Sequence, residues 1–333
     1  MRVTESQTRR TLVSQITTNR LNVDKYSNQV TTGLSVQEPG DSKQSGTISR
    51  FNESYNRNES HIQRISMVKS LLEYQEGIVT SLSDYVIRAK ELAAQGANET
   101  YGVEKRRALA SEVFAMRDSV VSLANSKYQG VYIYGSADDD DPPYDRVADY
   151  VPASNGLADE RYAFDKEAGT DVVKQVVITD SLTINVSTRG DKIFDNLITS
   201  LERLGRTLSG YKTDVDADGK SLGTGDPYDF ENDYKNAYTQ QTEDIRKCLD
   251  LVNKSSTEDI LPEQASLAGR LTRLDISKSI LNITNTSTKE ALSTLQEVDA
   301  YEAASNLVNA QTALNASFLV TSRILRLSFL DYI

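Results

Sequence analysis

Asp214, Asp216 and Asp218 alternate with other residues and are followed by Gly219, which is the first half of a calcium-binding loop. Oxygen ligands at this spacing can converge on one hard cation, and glycine in the sixth place permits the sharp turn. The twelfth place is Gly225, where such a loop needs a bidentate glutamate; Asp226 comes one residue late and Asp229 four. A solvated acidic turn between two helices is therefore the preferred reading, with Ca2+ at Asp214, Asp216 and Asp218 as the alternative. The four adjacent carboxylates of Asp138–Asp141 repel one another, so they favour an extended linker over a cation site.

His61 is the single histidine and Cys248 the single cysteine. That excludes an intramolecular disulfide and a thiolate zinc cage, and it leaves no basis for a Ser-His-Asp or Cys-His nucleophile system. His61 reads as a surface or interface residue. Cys248, between Ile245 and Val252 on an apolar seam, reads as a buried small hydrophobe. No dinucleotide-binding, phosphate-loop, nucleophile-elbow or zinc-protease motif occurs, so no catalytic residue is nominated and an enzyme is not expected. Apart from the calcium alternative, no cofactor is expected.

The chain has 333 residues with 37 Lys+Arg against 48 Asp+Glu, a net charge of −11. The acid is concentrated. Asp138–Asp171 carries eleven acidic and three basic residues, and Tyr211–Asp233 seven and two, so the remainder is close to neutral. This argues against nucleic acid or an anionic membrane as the main partner, because both demand clustered Lys and Arg. There is no 18-residue apolar run to span a bilayer, and polar residues interrupt the segment after Arg9 and Arg10, unlike a secretory signal.

Long elements have to carry these residues. The six prolines, at 39, 142, 143, 152, 227 and 262, leave long proline-free stretches between them. In these, apolar residues step by threes and fours, which predicts helices with one narrow buried stripe. The first stripe is Leu12, Ile16, Asn19, Val23, Tyr26 and Val30. Others run from Ile65 through Leu72 and Leu82 to Ala93, from Leu109 to Leu123, from Phe194 to Tyr211, and from Tyr234 to Val252. A last proline-free stretch includes Leu267, Leu274, Leu307, Leu314, Phe318 and Leu325. Lys289–Phe329, free of Pro and Gly, would be about 60 Å long as one unbroken helix.

The middle of the chain is different. Val131–Tyr134, Val172–Thr179 and Leu182–Ser187 are β-branched and aromatic, with Asp180-Ser181 as a tight turn between the last two. The predicted fold is mainly α: an elongated antiparallel helical bundle or coiled coil formed by the N- and C-terminal halves, with a small inserted β-containing domain. Residues 1–44 and 290–333 are assigned to terminal helices, 45–138 and 192–289 to a helical rod, and 139–191 to the insert.

The two ends resemble a known family. Val3–Lys43 (VTESQTRRTLVSQITTNRLNVDKYSNQVTTGLSVQEPGDSK) is similar to the N-terminal helix and loop of the flagellins, with Thr31-Thr32-Gly33 before Pro39 and Asp41. Leu307–Ile333 (LVNAQTALNASFLVTSRILRLSFLDYI) resembles their C-terminal helix. Thr321–Leu325, the Ser328–Tyr332 ending and Gly130–Ser136 (GVYIYGS) look more like the family's hook–filament junction members than its filament formers. The loop GLSVQEPGDSK lacks the commoner Arg-Ile or double Asp, and 138–233 has no clear match.

The resemblance implies a structural subunit exported unfolded through the flagellar type III apparatus. It would assemble extracellularly as a ring at the hook–filament junction. The partners implied are further copies of itself, the adjacent hook-associated protein and flagellin, and an export chaperone; neither nucleic acid nor membrane insertion is implied. Leu12, Ile16, Val23, Tyr26 and Val30 on the first helix and Leu307, Leu314, Phe318, Leu325 and Leu327 on the last are the expected assembly interface, pairing antiparallel within a subunit and packing laterally between subunits. A filament flagellin and a type III translocator or needle-tip protein are the alternatives, and a calcium-regulated binding module is a third.

Overall fold

The computed structural model describes residues 2–35, 44–135, 141–146, 162–164, 173–213 and 225–330, with the backbone alone for 2–6, 8, 146, 163 and 325–330. The helices are α1 (Arg2–Thr32), α2 (Ser45–Gly96), α3 (Val103–Ala124), α4 (Asp195–Ser209), α5 (Tyr234–Ser255), α6 (Leu261–Gln296) and α7 (Ala300–Leu330). Three antiparallel pairs complete the described elements: β1 (Lys127–Tyr128) with β2 (Val131–Tyr132), β3 (Tyr144–Arg146) with β4 (Tyr162–Phe164), and β5 (Gln175–Thr179) with β6 (Leu182–Asn185). The chain is mainly α with small strand pairs, the predicted class. Its contacts gather into two compact units, one of residues 1–60 and 279–333, the other of residues 61–278. The described part of 139–191 thus belongs to the same unit as the helices around it.

In the larger unit the stripe of α2 is buried throughout, Ile65, Leu72, Val79, Leu82, Ala89 and Ala93 included. α2 and α6 run antiparallel, held by Lys69 to Asp275 at 2.6 Å and Lys278 to Ser66 at 3.2 Å. α4 departs from the narrow-stripe expectation. Every residue from Leu197 to Leu208 except Thr199 is buried, because α3, α5 and the end of α2 surround the helix. Its polar face is therefore inside as well. Glu202 bonds both the Arg117 guanidinium of α3 and Arg206 one turn along. Two cations share one carboxylate out of water, an arrangement in which removing the anion is far costlier than at a surface.

The β hairpins rest on this helical body. Tyr144 exchanges two 2.9 Å hydrogen bonds with Asn125 at the end of α3, and its ring lies edge-on to Phe164 and Phe194. The turn joining β1 to β2 places Gln129 and Gly130 at φ of 52° and 89°, the left-handed pair that tight hairpins require. β5 and β6 turn at Asp180-Ser181 as predicted, with an irregularity between Val177 and Thr179.

Two features of the helices differ from the sequence reading. Pro262 does not end a helix. α5 leads through one π turn, Ser256–Ile260, into α6, and the Leu261 N–H reaches back five residues to the Ser256 carbonyl. The wider turn shifts the hydrogen-bond register just where proline has no N–H to give. Conversely, the stretch from Lys289 is not one helix. It breaks at 297–299, where Asp299 Oδ1 accepts from the N–H groups of Tyr301 at 2.8 Å and Glu302 at 3.3 Å and so caps α7.

Candidate assembly interface

The smaller unit brings the two chain ends together. α1 and α7 pack antiparallel, and Asn19 Nδ2 donates to Ser317 Oγ at 2.5 Å midway along the pair. The inner ends are fastened by backbone. Ser35 N–H donates to the Gln296 carbonyl at 2.5 Å, Val298 N–H to Gly33 at 3.0 Å, and Leu34 bridges Glu297. Gly33 makes this possible, since it follows the last turn of α1 at φ 72°, a conformation that costs other residues strain.

The stripe of α1 meets α7 through Leu12, Ile16, Asn19, Val23 and Tyr26, each half-buried. Val30 departs from the pairing expected within the chain. It is exposed, and Gln29 is buried in its place, with Nε2 donating to the Ser35 carbonyl at 3.2 Å. The step after Tyr26 is three residues, not four.

On α7, Leu307 and Leu314 are half-buried on the inner face as expected. Phe318 likewise departs from the pairing within the chain alone: it is exposed, and Ser317 takes the inward position. Leu325 and Leu327 lie where side chains are outside the described residues. The observed inner row is Ala303, Leu307, Ala310, Leu314, Ser317, Thr321 and Ile324, a strict alternation of threes and fours. Counting only large apolar residues missed it, because its most buried members are two alanines. Small side chains there let the helices approach closely.

Much apolar surface remains outside this pair. Val13 and Leu21 on α1 and Tyr301, Val308, Phe318, Leu319 and Val320 on α7 are exposed. Tyr301, Val308 and Leu319 lie on the side of α7 opposite Ala303 and Ala310, so each side of the helix carries an apolar row. Such a helix can pair with one partner inside the chain and another outside it.

The other sites read from the sequence separate. Asp214, Asp216 and Asp218 lie outside the described residues, as does most of Asp138–Asp141. Asp229 accepts from the Asn232 N–H at 3.0 Å and its side-chain amide at 3.1 Å, and these bonds hold its carboxyl below the ordinary range. Among the described residues, no three His, Cys, Asp or Glu side chains gather as a metal group would require. His61 is buried at the margin of the larger unit. Cys248 is fully buried against Thr207, and burial pushes its thiol up to about 12.

Residues 4–136 match the bacterial flagellin N-terminal helical region and residues 250–333 the flagellin C-terminal helical region. The two matches take in all but the first two residues of α1 and the whole of α7, and together span well over half of the chain. Over 303 residues the chain is 24% identical to flagellar hook-associated protein 3 of Escherichia coli K12, covering 88% of this chain and 87% of that protein. Flagellar hook-associated protein-3 of Legionella pneumophila aligns with a TM-score of 0.57 and 14% identity over 74% of this chain and 98% of that one. FlgL of Xanthomonas campestris aligns at 0.51 and 16% over 75% and 98%. At these identities the structural likeness is one of fold.

Proposed function

We infer, from a chain that belongs to the flagellin family, a structural subunit of the bacterial flagellum at the junction of hook and filament. The observation that carries the assembly role is the α1–α7 pair, with one apolar row spent inside the chain and another left on the surface. Identical copies can lay those outer rows against one another, so a ring of subunits is proposed, with the adjacent hook-associated protein on one side and flagellin on the other. Export through the flagellar type III apparatus, with a chaperone covering the terminal rows beforehand, accords with the same surfaces: exposed apolar helix faces need a partner at each stage.

Leu314→Asp tests the role. Leu314 lies in the smaller unit, so the larger unit, where α4 is buried, should keep its fold by circular dichroism and urea titration. In cells lacking the native copy, the variant should fail to appear at the hook end by immunogold labelling, and filaments should be lost. Normal incorporation would overturn the assembly role of α7. Labelling of the unaltered protein along the whole filament would point to a filament flagellin. Its absence from flagella altogether would favour a type III translocator.

A further inference from the structure

The gap between α6 and α7 is not written into the local sequence. No glycine or proline occurs after Gly269, so nothing in the covalent chain forbids helix across residues 297–299. The side chains before and after the gap also share one helical phase. From Asn285 to Ala303, both buried, is about five whole turns, and from Leu292 to Ala303 about three. Ile283 and Tyr301, both exposed, are likewise about five turns apart. The buried and exposed rows of α7 are thus those of α6 continued through the gap. A permanently open joint places no such demand on the residues that flank it.

What holds the gap open comes from the other end of the chain. In a continuous helix the Val298 N–H would donate to the Thr294 carbonyl, and the Gln296 carbonyl would accept from the Ala300 N–H. Both groups are taken. The Val298 N–H donates to the Gly33 carbonyl at 3.0 Å, and the Gln296 carbonyl accepts from the Ser35 N–H and, at 3.0 Å, from the Ser35 hydroxyl. Asp299 Oδ1 serves the N–H groups of Tyr301 and Glu302, which a continuous helix would direct to the carbonyls of Glu297 and Val298. On either side the helical bonds are already made: Glu297 N–H donates to the Ser293 carbonyl at 2.8 Å and Ala303 N–H to the Asp299 carbonyl at 2.9 Å. Only about one turn is missing.

We propose that residues 296–300 form a two-state joint governed by the N-terminal segment. With residues 33–35 in place the joint is open; on their withdrawal it winds into helix and makes α6 and α7 one element. Winding exchanges the bonds to 33–35 for helical ones, so the backbone groups are met in either state. The course of α7 after α6 therefore depends on whether α1 is seated. The whole device lies in the smaller unit and goes beyond the assembly reading without resting on it.

Tyr301-Glu302 is the one Tyr-Glu pair in the sequence, so tyrosine labelled at its carbonyl and glutamate labelled at its amide give the full-length protein a single coupled signal, the Glu302 N–H. Its hydrogen exchange reads the joint once the cap is removed. In Asp299→Ala this N–H has no acceptor while the joint is open, and the Val298 carbonyl when it is wound. Exchange should be free in Asp299→Ala alone. Adding Ser35→Pro, which takes away both donors to the Gln296 carbonyl, should slow it about tenfold or more. Adding Gly33→Val instead should do the same, because a β-branched residue is strained at φ 72°. Ala300→Pro on top of either should restore free exchange, since proline is accepted as the first residue of α7 but not inside a continuous helix.

The same exchange with and without Ser35→Pro and Gly33→Val overturns the proposal, and so does slow exchange that survives Ala300→Pro. Circular dichroism of the Asp299→Ala/Ser35→Pro chain should show no loss of helix relative to Asp299→Ala. A net loss would mean that α7 unravels when released from 33–35, which overturns the proposal as well.

Discussion

Glu202 decides the chemistry of the α3–α4 contact. Burial alone would depress the Arg117 guanidinium, but the charge and hydrogen bond of Glu202, with Asp118 beside it, more than offset this and hold its pKa above the ordinary value. Glu202→Gln keeps the shape and removes the anion from between Arg117 and Arg206. The expected cost is about 3–5 kcal/mol of stability, read as a lower urea midpoint with an unchanged slope. A loss under about 1 kcal/mol would mean that water reaches the pair as it reaches a surface bridge. Arg106 is the contrasting case. It is fully buried, with Gln241 and Thr242 as neutral hydrogen-bond partners and the Tyr238 ring 3.9 Å from its guanidinium, and burial lowers its pKa. Nothing in the sequence marked either arginine, since charged residues at helical spacing are ordinarily solvated.

Among the elements, α4 was the least legible and α2 the most. The α2 stripe could be read because its buried positions are mostly apolar, with Asn58, His61 and Gln75 the polar exceptions. Around α4 the burial of Ser200, Glu202, Arg203 and Arg206 depends on three other helices, and no local pattern records their presence. Gly205 belongs to the same crowding. A Cβ there would lie 2.6 Å from the Phe114 ring, so Gly205→Ala must displace an aromatic side chain from α3. The change should destabilise by about 1–3 kcal/mol, although alanine is the better helix former, and Phe114→Leu should relieve part of that loss. A stabilised Gly205→Ala protein by urea titration would contradict this packing. At the chain ends, the antiparallel pairing could be anticipated from Leu12, Ile16, Val23 and Tyr26, but not that Val30 and Phe318 point out of the pair. Size had been taken as the mark of the inner row, whereas Gln29 and Ser317 hold it by hydrogen bonding. The cap at Asp299 was visible in principle, because Asp with Glu three residues later is a helix-start signature.

For the molecule as a whole, alkaline pH should be the weak side. Burial raises the phenols of Tyr134, Tyr144 and Tyr228 above their ordinary range, with Asp195 adding to the effect on Tyr144 and Asp244 on Tyr228. The Cys248 thiol is pushed up to about 12. In each case the native state keeps a proton that the unfolded chain sheds, so their contribution is complete below about pH 8.5 and declines as pH rises through the range of free thiols and phenols. Each such group steepens the decline by about 1.4 kcal/mol per pH unit once its unfolded form has ionised. The urea midpoint should be level between pH 7 and 8.5 with respect to these groups and clearly lower at pH 10.5. An unchanged midpoint at 10.5 would show that these side chains are reached by solvent in the native state. All four lie in the larger unit, so the loss should appear there first.

The strap at the inner end of the α1–α7 pair has a mechanical consequence. Because the two helices run antiparallel, Arg2 and Leu330 stand at the same end of the pair, and the backbone bonds between 33–35 and 296–298 close the other. A force on the N-terminus therefore does not shear the helices past one another. It peels α1 away from α7 one turn at a time, and each turn gives up only a few half-buried side chains before the next is loaded. The peel reaches the strap last. A pulling machine that takes the chain N-terminus first would thus meet little resistance over the length of α1 and an abrupt one at Gly33.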